Sequence, residues 1–178
     1  MVASKELTDD IRLAHVMADD ADSISMSRFK AQDLRVKTKP DSTPVTEADT
    51  AVEESIRRTL SRTRPRDAVH GEEMQDTGES NRRWIIDPID GTANYLRGVP
   101  VWATLIALEI DGQVAAAVVS APALGRRWWA SQGGGAYTGR SILSATQINT
   151  SRVEQLADAS LSYSSINGWV ESGRGQGF

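Results

Sequence analysis

Trp84-Ile85-Ile86-Asp87-Pro88-Ile89-Asp90-Gly91-Thr92 is the stretch that decides the fold. Its apolar start predicts a short buried strand that delivers Asp87 at its C-terminal end. Pro88 lacks an N–H and fixes φ, so the strand cannot continue regularly past it. Asp90 then follows Asp87 by three residues across a tight turn, and Gly91 permits backbone angles closed to other residues. Thr92 and Asn94 suit the start of the next element. Two carboxylates on a rigid turn make a hard, oxygen-rich site of the kind Mg²⁺ takes. A turn that opens a helix also offers N–H groups to a phosphate. A bare Asp-x-x-Asp would more simply be a structural turn with a helix cap; the complete Asp-Pro-Ile-Asp-Gly-Thr behind an apolar strand is more specific.

Upstream, Ala68-Val69-His70 is a second strand candidate ending at Gly71-Glu72-Glu73, and 74–83 is a polar loop. Before it, Thr46 with Asp49 three residues on forms a capping-box helix start. Val52, Ile56 and Leu60 are the buried stripe of that helix, and Pro65 ends it. Glu53–Arg57 and Glu54–Arg58 are expected on its outer face, each pair contributing about 0.2–0.5 kcal/mol. Lys37 to Pro44 is a polar break. An earlier helix is expected to start at Thr8, with Ile11, Ala14, Met17, Ala18, Ala21 and Ile24 at helical spacing. His15 on that helix is a surface or packing residue.

Downstream, Trp102–Ile110 and Gln113–Ala121 flank Asp111-Gly112, the pair a type I′ hairpin turn favours. Arg126–Ser131 is another strand, and Gly133-Gly134-Gly135 turns into Ala136-Tyr137-Thr138. Trp102, Trp128 and Trp129 are read as core and sheet packing. From Thr150 a short helical piece and a strand at 159–164 are expected. The fold class is therefore α+β: N-terminal helices packed on an antiparallel sheet in residues 1–148, with 149–178 starting a second α/β domain that is left incomplete.

The chain has 178 residues, 39% hydrophobic and 25% charged, as in ordinary globular proteins. Its net charge of −4 gives no broad cationic field for nucleic acid or an anionic membrane. The absence of cysteine excludes disulfides, thiolate metal sites and a Cys nucleophile. No signal-peptide run or membrane span of about 20 apolar residues is visible, so a cytoplasmic location is expected.

Asp87-Pro-Ile-Asp-Gly-Thr92 resembles the signature of the inositol monophosphatase family of metal-dependent, lithium-sensitive phosphatases. Gly71-Glu72-Glu73 resembles that family's Gly-Glu-Glu strand end, and Val45-Thr46-Glu47-Ala48-Asp49 its Val-Thr-x-x-Asp helix start. Three ordered motifs within fifty residues make coincidence a poor explanation. The resemblance implies a layered sugar-phosphatase-like fold, two or three Mg²⁺ ions in a complete member, a small phosphate monoester as substrate and a homodimer. It implies that Glu72, Asp87 and the Ile89 carbonyl ligate one ion and that Asp87 and Asp90 share a second. Asp49 and Thr92 would orient the attacking water, the Gly91 and Thr92 amides would hold phosphate, and Lys39 would match a basic residue near the site. As a cap, Asp49 is explained equally well. His70, two residues before Glu72, is either a supporting neighbour of the site or a packing residue. Two metal ions can clamp the attacking and leaving oxygens, so no covalent nucleophile is needed.

Within the family, Thr38-Lys-Pro-Asp41, Gly98-Val-Pro-Val-Trp102, Ser120-Ala-Pro-Ala-Leu124 with Arg126-Arg-Trp-Trp129, and Leu161–Ser165 resemble actinobacterial-type histidinol-phosphate phosphatases. That implies hydrolysis of L-histidinol phosphate, a step of histidine biosynthesis; inositol 1-phosphate or another small sugar or nucleotide monophosphate is the alternative. Family members run on for about another third, with a Trp-Asp motif completing the second metal site. Beyond Ser165 this chain has Glu171 as its one acid, so weak or no activity is expected of it alone. Two other classes compete. Haloacid-dehalogenase-like phosphatases share a similar Asp-x-Asp-Gly-Thr but space the acids two apart. A non-catalytic remnant would only bind metal or a sibling subunit.

Overall fold

The computed structural model describes residues 5–40, 43–162, 170 and 172–174. The backbone divides into two compact units, residues 1–148 and 149–178. The first contains helix α1 (Lys5–Arg28), strands β1 (Val36–Thr38) and β2 (Pro44–Thr46), helix α2 (Glu47–Thr63), β3 (Ala68–Gly71), β4 (Arg82–Asp90), and α3 (Thr92–Leu96). It continues through β5 (Ala103–Ile110), β6 (Gln113–Ala121), β7 (Arg126–Ser131), β8 (Gly135–Gly139) and β9 (Thr146–Ile148). In the second unit a 3₁₀ turn at Leu156–Asp158 is the only regular element among the described residues. The strand expected over 159–164 does not form across 159–162, and 163–164 lie outside the described residues.

Strands β3 to β9 form one sheet in chain order. β3 runs parallel to β4, a correction to the all-antiparallel expectation; every other neighbour in the sheet is antiparallel. The period-2 pleat aligns residues of like burial across strands. Trp84 faces Leu108, which faces Ala116; Ile86 faces Ile106, which faces Val118 and then Trp129. These rows meet Ile11, Ala14, Met17, Ala18 and Ala21 of α1 and Val52, Ile56 and Leu60 of α2 in one core. Fully burying a side chain such as Ile106 contributes about 1.5–3 kcal/mol.

Local chemistry sets the ends of these elements. Thr46 caps α2 in a full capping box with Asp49, and Pro65 follows the last helical residue, Thr63. Asp111 and Gly112 both take positive φ, as a type I′ turn requires. α1 begins at Lys5, so Thr8 lies inside the helix rather than at its cap. The stretch read as a polar break forms the small β1–β2 hairpin.

His15 is buried: its ring meets Trp129 edge-on at 4.7 Å, and its Nδ1 sits 3.1 Å from Arg127 Nη1. Burial and the Arg127 charge hold its pKa down at about 4. Asp10, also fully buried, accepts from both Arg64 and Arg82. Among the described residues no helix is long and apolar enough to cross a membrane.

Candidate metal centre

The site forms where β4 leaves the sheet. β4 runs through Pro88 to Asp90, but its register with β5 shifts between Asp87 and Asp90, as the missing proline donor demands. Thr104 Oγ1 donates to the Pro88 carbonyl at 2.8 Å and fixes the bulge. Gly91 closes the turn at φ 90°, a left-handed angle, and a Cβ there would stand 3.2 Å from the Val101 oxygen. Ile89, Tyr95 and Trp102 pack with Ala48 into a second apolar cluster beneath the turn. The Tyr95 hydroxyl donates to the Ser25 carbonyl at 2.7 Å, which ties that cluster to α1. The turn is therefore held from below, with Asp87 half-buried at its start and Asp90 exposed at its end.

Asp87 is the most perturbed acid. Burial first, then the Glu72 charge, a hydrogen bond with Glu72 and the charges of Asp90 and Asp49 push its pKa up to about 8. Its Oδ1 is buried and lacks a hydrogen-bond partner, and so does Asp49 Oδ1. The other Asp49 oxygen accepts from the Thr46 amide and hydroxyl. The capping and site readings of Asp49 are thus compatible: one oxygen caps α2 and one is left over. Burial, with Glu72 adding charge, raises the Asp49 pKa.

Lys39 reaches in from the β1–β2 hairpin. Its Nζ lies 2.7 Å from Glu72 Oε1 and 2.7 Å from Glu73 Oε1. Burial opposes the ammonium charge, but the hydrogen bonds to Glu72 and Glu73 prevail and raise its pKa. Thr92 Oγ1 donates to the Ile89 carbonyl at 3.1 Å. Asp90 is exposed.

Glu72 and Asp87 are therefore in contact, with Asp90 and Asp49 close enough to act on Asp87 by charge. Among the described residues, no three His, Cys, Asp or Glu side chains are already gathered as a closed metal cage. Glu72 is shared with Lys39, which gives that carboxylate a cationic partner of its own. The donor set still suits a hard divalent cation. It consists of oxygens, and two of them are buried without any partner, a costly state that a cation relieves.

The model of the inositol monophosphatase family matches residues 6–173. The chain belongs to the inositol monophosphatase family. It is 63% identical over 174 residues to a histidinol-phosphatase of Streptomyces coelicolor, covering 96% of this chain and 65% of that protein. It is 54% identical over 166 residues to a histidinol-phosphatase of Mycobacterium tuberculosis, covering 93% and 64%. Its fold matches the extragenic suppressor protein suhB of Bartonella henselae with a TM-score of 0.76 at 30% identity, over 83% of this chain and 57% of that one. The chain thus spans slightly under two thirds of the length of these two relatives. The α+β architecture is that of inositol monophosphatase family members.

Two further acids stand near the site. Glu73 stands beside Glu72 on Lys39. Glu53, expected on the outer face of α2, is instead fully buried beneath Gly71. Its position four residues after Asp49 puts both acids on one helix face, a signal the sequence did contain. His70 is neither packed nor turned to the site: it is exposed and pairs with Asp76 at 2.7 Å.

Proposed function

We propose that this acid cluster is the divalent-metal centre of a phosphomonoesterase that hydrolyses L-histidinol phosphate to L-histidinol and phosphate, with Mg²⁺ as the ion. The carrying observation is Asp87, a strand-end carboxyl crowded by other acids and left with a buried, unpaired oxygen. Similarity to two proteins named histidinol-phosphatase supports the choice of substrate.

In this reading Glu72, Asp87 and the Ile89 carbonyl would hold one ion, and Asp87 with Asp90 would hold a second. A bound divalent ion supplies Lewis acidity toward the phosphoryl oxygens and lowers the pKa of water. Asp49 Oδ1 and the Thr92 hydroxyl orient the attacking water, which displaces the alcohol directly. Gly91 and Thr92 present backbone amides to the phosphate where the turn opens α3. Lys39 carries positive charge into the same opening, on the hairpin that borders the acids. No side chain is asked to form a covalent phosphoenzyme.

Phosphate release, compared in Mg²⁺ and in EDTA, tests the reading; ratios are informative even at a low rate. Release should need the divalent ion, favour L-histidinol phosphate over inositol 1-phosphate, and vanish in Asp87→Asn. Undiminished release by Asp87→Asn, or release indifferent to EDTA, overturns it. A preference for inositol 1-phosphate replaces the substrate with the second candidate. Mg²⁺ binding without any release supports a non-catalytic metal-binding role.

A further inference from the structure

Glu53 has no part in that chemistry, yet it is among the most confined charges in the molecule. Its side chain is fully buried in α2. One oxygen, Oε2, accepts the Glu73 amide at 2.8 Å, and the other, Oε1, accepts from Arg57 Nε at 2.8 Å. Arg57 continues outward, donating to the Met74 carbonyl at 3.3 Å and to the Thr77 hydroxyl at 3.2 Å. The pair therefore grips the loop that follows β3 at three places, immediately beyond Glu72. Gly71 completes the fit. A Cβ at that position would fall 1.9 Å from Glu53 Oε1, so only glycine lets the strand end lie against the carboxylate.

A buried carboxylate with one cationic partner is costly to fold around. Glu53 holds its place against that cost, and what it fixes is the backbone on either side of Glu72. On the reading that Glu72 is a metal ligand, we infer that Glu53, with Arg57, is a positioning residue for the metal centre: it sets the Gly71–Glu73 backbone so that the Glu72 carboxylate meets Asp87. The inference rests on that reading, and the experiment separates the two.

Mg²⁺ binding is measured by isothermal titration calorimetry on the chain, on Asp87→Asn, on Glu53→Gln and on Arg57→Gln, each normalised to its folded fraction by circular dichroism. Glu53→Gln keeps the shape but places an amide NH₂ against a donor, and it should weaken Mg²⁺ binding about 10- to 100-fold, the usual effect of removing a group that orients a ligand. Arg57→Gln leaves Glu53 in place but removes its cationic partner and the outer grip on Met74 and Thr77, and should weaken binding in the same direction. It keeps the inference testable if Glu53→Gln fails to fold. Glu53→Gln should also leave the affinity of Gly71→Ala little further reduced, since both act on one contact. Absence of Mg²⁺ binding by the chain itself, or full binding by Asp87→Asn, defeats the metal-site reading. Binding lost in Asp87→Asn but unchanged in folded Glu53→Gln and Arg57→Gln defeats the positioning role alone.

Discussion

Acidification should destabilise this fold through one histidine. His15 is 5% exposed, lies against Trp129, and faces Arg127 and Asp19. Protonating it would put a second cation beside the buried Arg127 guanidinium. Its folded pKa is about 4, against 6.5 for the free side chain. The unfolded chain therefore takes up the proton first as pH falls, and stability is lost between those values. Above 6.5 the contribution is intact; below about 4 the loss is complete. A gap of roughly 2.5 pH units at about 1.4 kcal/mol each gives about 3 kcal/mol in all, most of it gone by pH 4.5. Carboxylates titrate over the same range, and the half-buried Asp22 has a raised pKa that acts in the opposite sense. Comparison with His15→Gln removes those shared terms. Urea unfolding of both proteins from pH 7.5 to 4.5 should show the wild type losing about 2–3 kcal/mol relative to the variant. A stability difference that stays constant across that range would refute the reasoning, because packing alone does not titrate.

Two further substitutions probe the frame around the site. Asp10→Asn should cost on the order of 3 kcal/mol in urea unfolding, since it leaves Arg64 and Arg82 without the carboxylate they share; the low end of the range for broken buried pairs applies because both arginines remain partly wetted. Gly91→Ala should cost at least about 1–2 kcal/mol from its left-handed φ of 90°, and it should reduce Mg²⁺ affinity by moving Asp90; unchanged stability and affinity would show that the turn tolerates a side chain.

The parts of the fold legible in the sequence were those whose cause is local. The capping box at Thr46 and Asp49, the Asp111-Gly112 turn and the helical stripe of α2 all follow from neighbouring residues, and each stands where the pattern put it. The β1–β2 hairpin was not legible. Its three-residue strands carry Lys37 and Pro44, and they persist because the pairing of Val36 with Thr46 seats them beside the α2 cap. The parallel pairing of β3 with β4 depends on where a ten-residue loop returns, which period-2 patterning cannot convey.

The site divides the same way. Its acids could be picked out because the turn chemistry around Asp87, Pro88 and Gly91 is compressed into a few residues. The role of Glu53 could not be read from charge, because a glutamate four residues before an arginine looks like a solvated pair. Only the missing side chain at Gly71, on the neighbouring strand β3 and outside any local pattern of α2, makes room for it. Lys39 was placed near the site by likeness alone; the structure adds that it contacts Glu72 and Glu73 directly.

The most direct test is calorimetric titration of Mg²⁺ into the chain and into Asp87→Asn at neutral pH. Saturable binding that disappears with the one carboxylate, while the folded structure persists, is the predicted result. Equal binding by both proteins, or none by either, would contradict the claim that Asp87 and its neighbours form a cation site.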